Sequence, residues 1–127
     1  MKFWRIFSSY KMPQTISRDE LKNLIDSKGN YVLIDVRNID ELRFGIIPTA
    51  RNIPLPELSN CLDMLGEEFE KTFKFPKFKR DDNIIFYCRT GGRSNTATMI
   101  AISKGYANVR NYAGSIWEWS EIDPNVT

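Results

Sequence analysis

Short apolar runs alternate along this chain with segments whose apolar residues recur at helical spacing. The runs YVLID (31–35) and IIFY (84–87) are rich in β-branched and aromatic residues, so they predict strands buried on both faces of a parallel sheet. Shorter strands are predicted at the start of QTISRDELKNLIDS (14–27), around 51–53 and in NVRNY (108–112). Helices are predicted after Ser17, from Pro56 to about Glu70, from Ser94 to Lys104 and within GSIWEWSEI (114–122).

This alternation of strands and helices predicts an α/β domain with a mostly parallel sheet. Ser17 is the predicted N-cap of the first helix, and Glu20 three residues later completes a capping box. In parallel sheets, ligands bind beyond the carboxyl ends of the strands. Because Cys88 directly follows the IIFY strand, we expect the chemistry of the protein at that edge of the sheet.

Composition narrows the possible functions. The chain has 127 residues and a net charge of +2. Lys2, Arg5 and Lys11 fall in the first twelve residues without any acid, so the remainder is slightly acidic and a nucleic-acid surface is not expected. The absence of histidine excludes Cys–His and Ser–His mechanisms and argues against zinc. Two cysteines make no disulfide framework, and no apolar run is long enough to span a bilayer.

The first twelve residues, MKFWRIFSSYKM, form a separate segment with two alternative interpretations. Phe3, Ile6, Phe7 and Tyr10 share one face at helical spacing, and the segment is basic, which is typical of a mitochondrial targeting sequence. The alternative is a surface extension of a cytoplasmic protein. We therefore divide the chain into this extension (1–12), one domain (13–123) and a C-terminal tail (124–127).

The loop CRTGGRS (88–94) is the candidate catalytic site. Gly91 and Gly92 permit a curled backbone, and the following helix directs N–H groups and its positive dipole end toward an anion. Helix N-termini and arginines lower a thiol pKa from about 8.5 to roughly 3.5–7.5, so Arg89 and Arg93 should help to keep Cys88 as a thiolate. A buried structural cysteine is the alternative, but it would require neither the glycines nor the arginines.

The spacing of this loop separates two chemistries. Cysteine phosphatases have Cys-x5-Arg loops that encircle phosphate, whereas here Arg93 gives Cys-x4-Arg and Ser94 takes the next position. The shorter ring should disfavour phosphate and leave room for one extra sulfur atom on Cys88. A phosphatase or arsenate reductase is therefore the least favoured function.

Three segments resemble the rhodanese-like sulfurtransferases, most closely the single-domain thiosulfate sulfurtransferases. LIDVRNIDELRFGIIPTARNIP (33–54) is similar to their first motif, CRTGGRS to their active-site loop and NYAGSIWEWS (111–120) to their closing motif. The resemblance implies a five-stranded sheet flanked by helices on both faces, and sulfur transfer through a cysteine persulfide. Members usually carry His and Gly where this chain has Ile46 and Thr49, and many carry Gly where it has Ala113.

The remaining candidates have supporting roles. Asp35 and Arg37 follow a strand at the same sheet edge as Cys88, and a structural ion pair is favoured over substrate contact, with Glu41 as a further partner. Ser94 is expected to support the loop. Cys61 could resolve a persulfide as a disulfide, but its position on an ordinary helix favours a packing role.

These observations predict a sulfurtransferase in which Cys88 attacks a donor such as thiosulfate and passes the sulfur to cyanide or a small thiol. The substrate-binding residues are expected to be Arg89, Thr90, Gly91, Gly92 and Arg93. No metal, organic cofactor, nucleic acid or membrane is implied, and the oligomeric state stays open. The alternative in the same fold is a persulfide carrier that receives sulfur from a protein partner.

Overall fold

The computed structural model describes residues 13–127. The N-terminal extension, residues 1–12, for which the sequence allows either a targeting segment or a surface extension, lies outside the described residues. The strands are β1 (Gln14–Thr15), β2 (Val32–Asp35), β3 (Arg51–Asn52), β4 (Ile84–Tyr87) and β5 (Val109–Asn111). The α-helices are α1 (Arg18–Asp26), α2 (Leu55–Leu62), α3 (Gly66–Phe73), α4 (Gly92–Ser103) and α5 (Ser115–Trp119), and a 3-10 helix covers Ile39–Phe44.

The five strands form one parallel sheet in the order β1-β5-β4-β2-β3. Asp35 at the end of β2 is in register with Tyr87 at the end of β4, and Phe86 is in register with Asn111. The carboxyl ends of the three central strands therefore meet at one edge, where Cys88 follows β4. The predicted α/β class and the parallel sheet are confirmed.

Alternating residues of the central strands supply two separate cores. Ile34 and Phe86 face the core beneath α2, α3 and α4, whereas Leu33, Ile85 and Tyr87 face the core beneath α1 and α5. Both faces of β2 and β4 are buried, which explains why the two runs are continuously apolar rather than alternating with polar residues. Helices thus flank the sheet on both sides, as the resemblance implied.

The single helix predicted from Pro56 to about Glu70 is wrong. It is two helices, α2 and α3, separated at residues 63–65. Glycine is unfavourable inside a helix, and Gly66 is the first residue of α3 instead. The Lys77 ammonium donates hydrogen bonds to the carbonyls of Leu62 and Met64 after the end of α2. Leu65, which helical spacing had placed on the apolar face, is 79% exposed in the break.

The first helix is capped as predicted, and the C-terminal tail packs against the domain. The Ser17 hydroxyl accepts the Glu20 N–H at 3.1 Å, so the predicted N-cap is confirmed, but the Glu20 carboxylate pairs with Arg110 on β5 instead of closing the box. Residues 124–127 pack against the domain, since Val126 is 3% exposed and the Thr127 N–H donates to the Phe44 carbonyl. Among residues 13–127, no helix is both long and apolar enough to cross a membrane.

Candidate active site

Cys88 lies at the carboxyl end of β4, inside the loop that leads to α4. Its side chain is only 1% exposed. The Gly91 N–H donates to the Cys88 Sγ at 3.1 Å, and the Ser94 Oγ lies 3.4 Å from the same sulfur. The backbone therefore curls around the thiol as the two glycines and the helix start had predicted.

Gly91 is the residue that makes this curl possible. Its φ is +99°, and a Cβ there would lie 2.4 Å from the Ala113 carbonyl oxygen, so no other residue fits. The Asn111 side-chain amide donates to the Gly91 carbonyl at 3.3 Å and so holds the next peptide, which joins Gly91 to Gly92. Gly92, in contrast, opens α4, and a Cβ there would meet open space. The adjacent glycines thus have different roles.

The loop stabilises the Cys88 thiolate without a histidine. Burial alone raises the pKa of Cys88, but the pKa is nevertheless below its ordinary value. The Ser94 hydroxyl and the Gly91 N–H contact the sulfur and lower its pKa, and the backbone N–H groups of Ser94 and Thr90 lower it further. The geometry of hydrogen-bond donors, rather than a neighbouring base, activates this sulfur.

Arg93 and Arg89, predicted to act together on the thiol, are separated by the structure. Arg93 forms a two-pronged ion pair with Glu41, at 2.6 and 2.9 Å, which lowers the pKa of Glu41 to about 2. The Cys88 thiolate still contributes to raising the pKa of Arg93, so the two charges attract each other. The Arg89 side chain is exposed and lines a cavity beside the loop.

Asp35 and Arg37 form the structural ion pair that the sequence favoured. Both side chains are almost fully buried, and the guanidinium Nη2 lies 2.8 Å from the carboxylate. Arg37 also donates to the carbonyls of Glu41 and Gly45. It therefore holds the 3-10 helix that carries Glu41, and Glu41 in turn holds Arg93 of the cysteine loop.

Ser115 is a site residue that the sequence reasoning missed. Its buried hydroxyl accepts the Cys88 N–H at 3.1 Å, donates to the Tyr112 carbonyl at 2.8 Å and lies 4.0 Å from the Cys88 Sγ. Its φ of +54° is unusual for a serine, which shows that tertiary contacts impose the conformation. Asn111 was also missed. Both belong to the closing motif, but their contacts span 20 to 27 residues that no local pattern connects.

Cys61 has the packing role predicted for it. The side chain is completely buried in the core beneath α2, and burial raises its pKa to about 12. A thiol with so high a pKa is protonated at neutral pH and is not a nucleophile. This leaves Cys88 as the candidate nucleophile.

The two departures from the usual first motif both lie on the surface of the domain. Ile46, in the position where members usually carry His, is 42% exposed. Thr49 has a φ of +75°, the left-handed conformation that suits the usual Gly, and its hydroxyl lies 2.8 Å from the Tyr31 hydroxyl. The pKa of Cys88 is lowered by the loop itself, so the histidine is not needed for activation.

Comparison with known proteins agrees with this geometry. The family model described as the rhodanese-like domain matches residues 17–122. A putative mitochondrial thiosulfate sulfurtransferase of Schizosaccharomyces pombe is 46% identical over 71% of this chain and 63% of its own length. The human thiosulfate:glutathione sulfurtransferase is 42% identical over 84% of this chain and 93% of its own. The solved structure of the human single-domain sulfurtransferase TSTD1 superposes with a TM-score of 0.82 at 40% identity, covering 86% and 96% of the two chains.

Proposed function

This chain belongs to the rhodanese-like domain family, and we propose that it transfers sulfane sulfur from a donor such as thiosulfate through a persulfide on Cys88. The observation that carries the proposal is the buried Cys88 sulfur, which accepts the Gly91 N–H and has a lowered pKa. Sulfurtransferase relatives at 42–46% identity support the reaction class.

The first half-reaction loads the sulfur. The Cys88 thiolate attacks the outer sulfur of thiosulfate, a new S–S bond forms at Cys88, and sulfite leaves with the electrons of the old S–S bond. The first-turn N–H groups of Gly92 and Arg93 have no intrahelical acceptor, and they stand at the positive end of α4, which begins four residues after Cys88. They supply donors for the negative outer sulfur of the persulfide.

The second half-reaction transfers the outer sulfur of the persulfide to the acceptor. Cyanide or the thiolate of a small thiol attacks the outer sulfur, and the bond to Cys88 breaks. Cys88 leaves with the bonding electrons as the thiolate that the loop already stabilises. A thiolate with a lowered pKa is a better leaving group, so the same hydrogen bonds serve both halves of the cycle.

The structure also supplies a reason to disfavour a phosphatase. In a phosphatase loop the arginine would bind the phosphate, but here Arg93 is occupied by the carboxylate of Glu41. Thiosulfate sulfurtransferase and aryl-phosphatase activities measured side by side should show only the first. Sulfur uptake from a protein persulfide but not from thiosulfate would identify a carrier instead.

The test of the nucleophile is a matched pair of cysteine variants. Cys88→Ser should abolish sulfur transfer, and intact-mass spectra after incubation with thiosulfate should no longer show the addition of one sulfur atom. Cys61→Ala should retain most of the activity and the mass gain, because the Cys61 thiol is buried and protonated. Comparable activity in the Cys88 variant and the native protein would refute the mechanism.

We also propose that residues 1–12 direct the protein to mitochondria, which is supported by the basic, amphipathic pattern of these residues and by the mitochondrial relative from S. pombe. A reporter fused to residues 1–12 should enter mitochondria, and a version with Lys2, Arg5 and Lys11 replaced by Glu should not. Cytosolic retention of the first fusion would contradict the proposal.

A further inference from the structure

A cavity of about 510 Å³ lies at the edge of the sheet opposite the cysteine loop, and its volume is within the range of small-molecule sites. Val32 and Arg51, the first residues of β2 and β3, line this cavity. Cys88, in contrast, follows the last residue of the parallel strand β4. The length of β2, about 10 Å, therefore separates the cavity from the edge that carries the thiol.

The wall of this cavity carries an excess of positive charge. Among the described residues that line it, Lys28, Arg51 and Lys77 are cationic and Asp82 alone is acidic. None of these four takes part in the ion pairs found within residues 13–127. Lys77 donates to backbone carbonyls and Asp82 accepts the Lys79 N–H, so neither contact neutralises a cation of the wall. This charge attracts an anion.

The cavity also has an apolar surface beside a free cation. Ile25 from α1, Pro76 from the segment after α3 and the half-buried ring of Tyr31 all line it. The Arg51 guanidinium lies over the Phe75 ring, 5.5 Å from the ring centroid, and Phe75 lines the same cavity. Stacking uses the face of a guanidinium and leaves the N–H groups at its edge available to an anion. The wall therefore suits a ligand that has both an apolar body and an anionic group.

Thr49 adds a hydroxyl to this wall at a cost in backbone strain. The Ala50 N–H donates to the Ile47 carbonyl at 3.1 Å, so residues 47–50 form a turn with Thr49 in third place. A turn with positive φ in that place favours glycine, but here threonine has a φ of +75°. Its hydroxyl lies 2.8 Å from the Tyr31 hydroxyl, and this bond leaves one hydroxyl hydrogen of the pair for a ligand. A strained β-branched residue on a cavity wall points to a role in binding.

We propose that this cavity binds a small organic anion, whose apolar body lies against Tyr31 and Pro76 and whose sulfonate, phosphate or carboxylate pairs with Arg51 and Lys28. The hydroxyl pair of Tyr31 and Thr49 supplies a further hydrogen bond. The site is separate from Cys88, so its ligand takes no part in sulfur transfer, and the proposal does not depend on that reaction.

The test titrates the full-length protein with 8-anilinonaphthalene-1-sulfonate, which joins an aromatic body to one sulfonate. N-phenyl-1-naphthylamine has the same rings without the sulfonate and is the matched neutral probe. The sulfonate should bind one to one and at least about fivefold more tightly than the amine, because only the sulfonate pairs with the cations. In ¹H–¹⁵N spectra it should shift the amide signals of Gly29, Val32 and Thr49, which line the cavity. Binding should persist after Cys88 has been alkylated.

Arg51→Gln and Arg43→Gln are the matched pair of variants. Both arginines are exposed and lie over a phenylalanine ring, and neither forms an ion pair in the part of the chain that the structure describes. Of the two, Arg51 lines the cavity and Arg43 does not. Arg51→Gln should weaken binding of the sulfonate about fivefold, Lys28→Gln should also weaken it, and Arg43→Gln should leave it unchanged.

Several results would overturn the site. They are no binding of the sulfonate, equal affinity for the two probes, and equal effects of the two arginine variants. Shifts confined to the amides of the cysteine loop, or loss of binding after alkylation of Cys88, would place the anion at the thiol and would equally refute the proposal.

Discussion

Gly91 and Gly92 are adjacent in sequence, but replacing them with alanine should have opposite effects. Gly91→Ala forces a Cβ into a left-handed conformation, which costs about 1–2 kcal/mol. The Cβ would also lie 2.4 Å from the Ala113 oxygen, and overpacking of this kind typically costs a further 1–3 kcal/mol. The free energy of unfolding should therefore fall by roughly 2–5 kcal/mol. Gly92→Ala meets no atom within 4 Å, and should leave stability unchanged or raise it by about 0.5–1 kcal/mol.

Urea unfolding of the two variants and the native protein measures these differences, and sulfur transfer measured at a temperature where all three are folded gives the second readout. Gly91→Ala should lose most activity, because the displaced peptide no longer donates its N–H to Cys88. Gly91→Asn separates the two causes, since asparagine tolerates the left-handed conformation but retains the clash with Ala113. Full recovery in Gly91→Asn, or equal stability of the two alanine variants, would refute the reasoning.

Two further predictions concern the charges of the site. The first is that Ser94→Ala raises the pKa of Cys88 more than Arg93→Ala does, because the Ser94 hydroxyl donates directly to the sulfur whereas Arg93 is paired with Glu41. Iodoacetamide reactivity across pH, measured in a Cys61→Ala background, gives the two pKa values. The opposite order would contradict the prediction. The second concerns Glu41, whose pKa is lowered from 4.5 to about 2, so its contribution to stability is present above about pH 4.5 and is lost as pH falls toward 2. Glu41→Gln should therefore remove that part of the acid dependence of unfolding. An unchanged acid profile in this variant would show that the ion pair with Arg93 contributes nothing to stability.

The sequence predicted the parts of the fold that depend on local patterns. The runs 31–35 and 84–87 became buried parallel strands, and the change from IIFY to CRTGGRS marked the edge where the thiol lies. The pattern failed at residues 56–70, because helical spacing continues through the break at residues 63–65. The signal for the break was Gly66, but the hydrogen bonds that complete it come from Lys77, which lies outside any local window.

The sequence likewise predicted the local parts of the candidate site but not its long-range contacts. The candidate nucleophile and its hydrogen-bonding loop follow from seven consecutive residues, and the groups that lower the pKa of Cys88 belong to the same seven. The orientation of the arginines could not be predicted, because it depends on Glu41, which lies 52 residues before Arg93 and reaches it only in the folded sheet. The contacts of Ser115 and Asn111 are equally non-local, and a single sequence holds no sign of them.

The contacts of the closing motif also determine when the active site comes into existence during synthesis. The Ser115 hydroxyl accepts the Cys88 N–H, the Asn111 amide donates to the Gly91 carbonyl, and the Ala113 backbone packs closely on Gly91. The loop therefore acquires its shape from residues that are synthesised after it. Chains emerge from the ribosome with the N-terminal part first. A nascent chain that ends soon after α4 therefore carries the cysteine without the groups that fix its surroundings. The cysteine loop acquires its final shape only after residues 111–115 have been added and have packed against it.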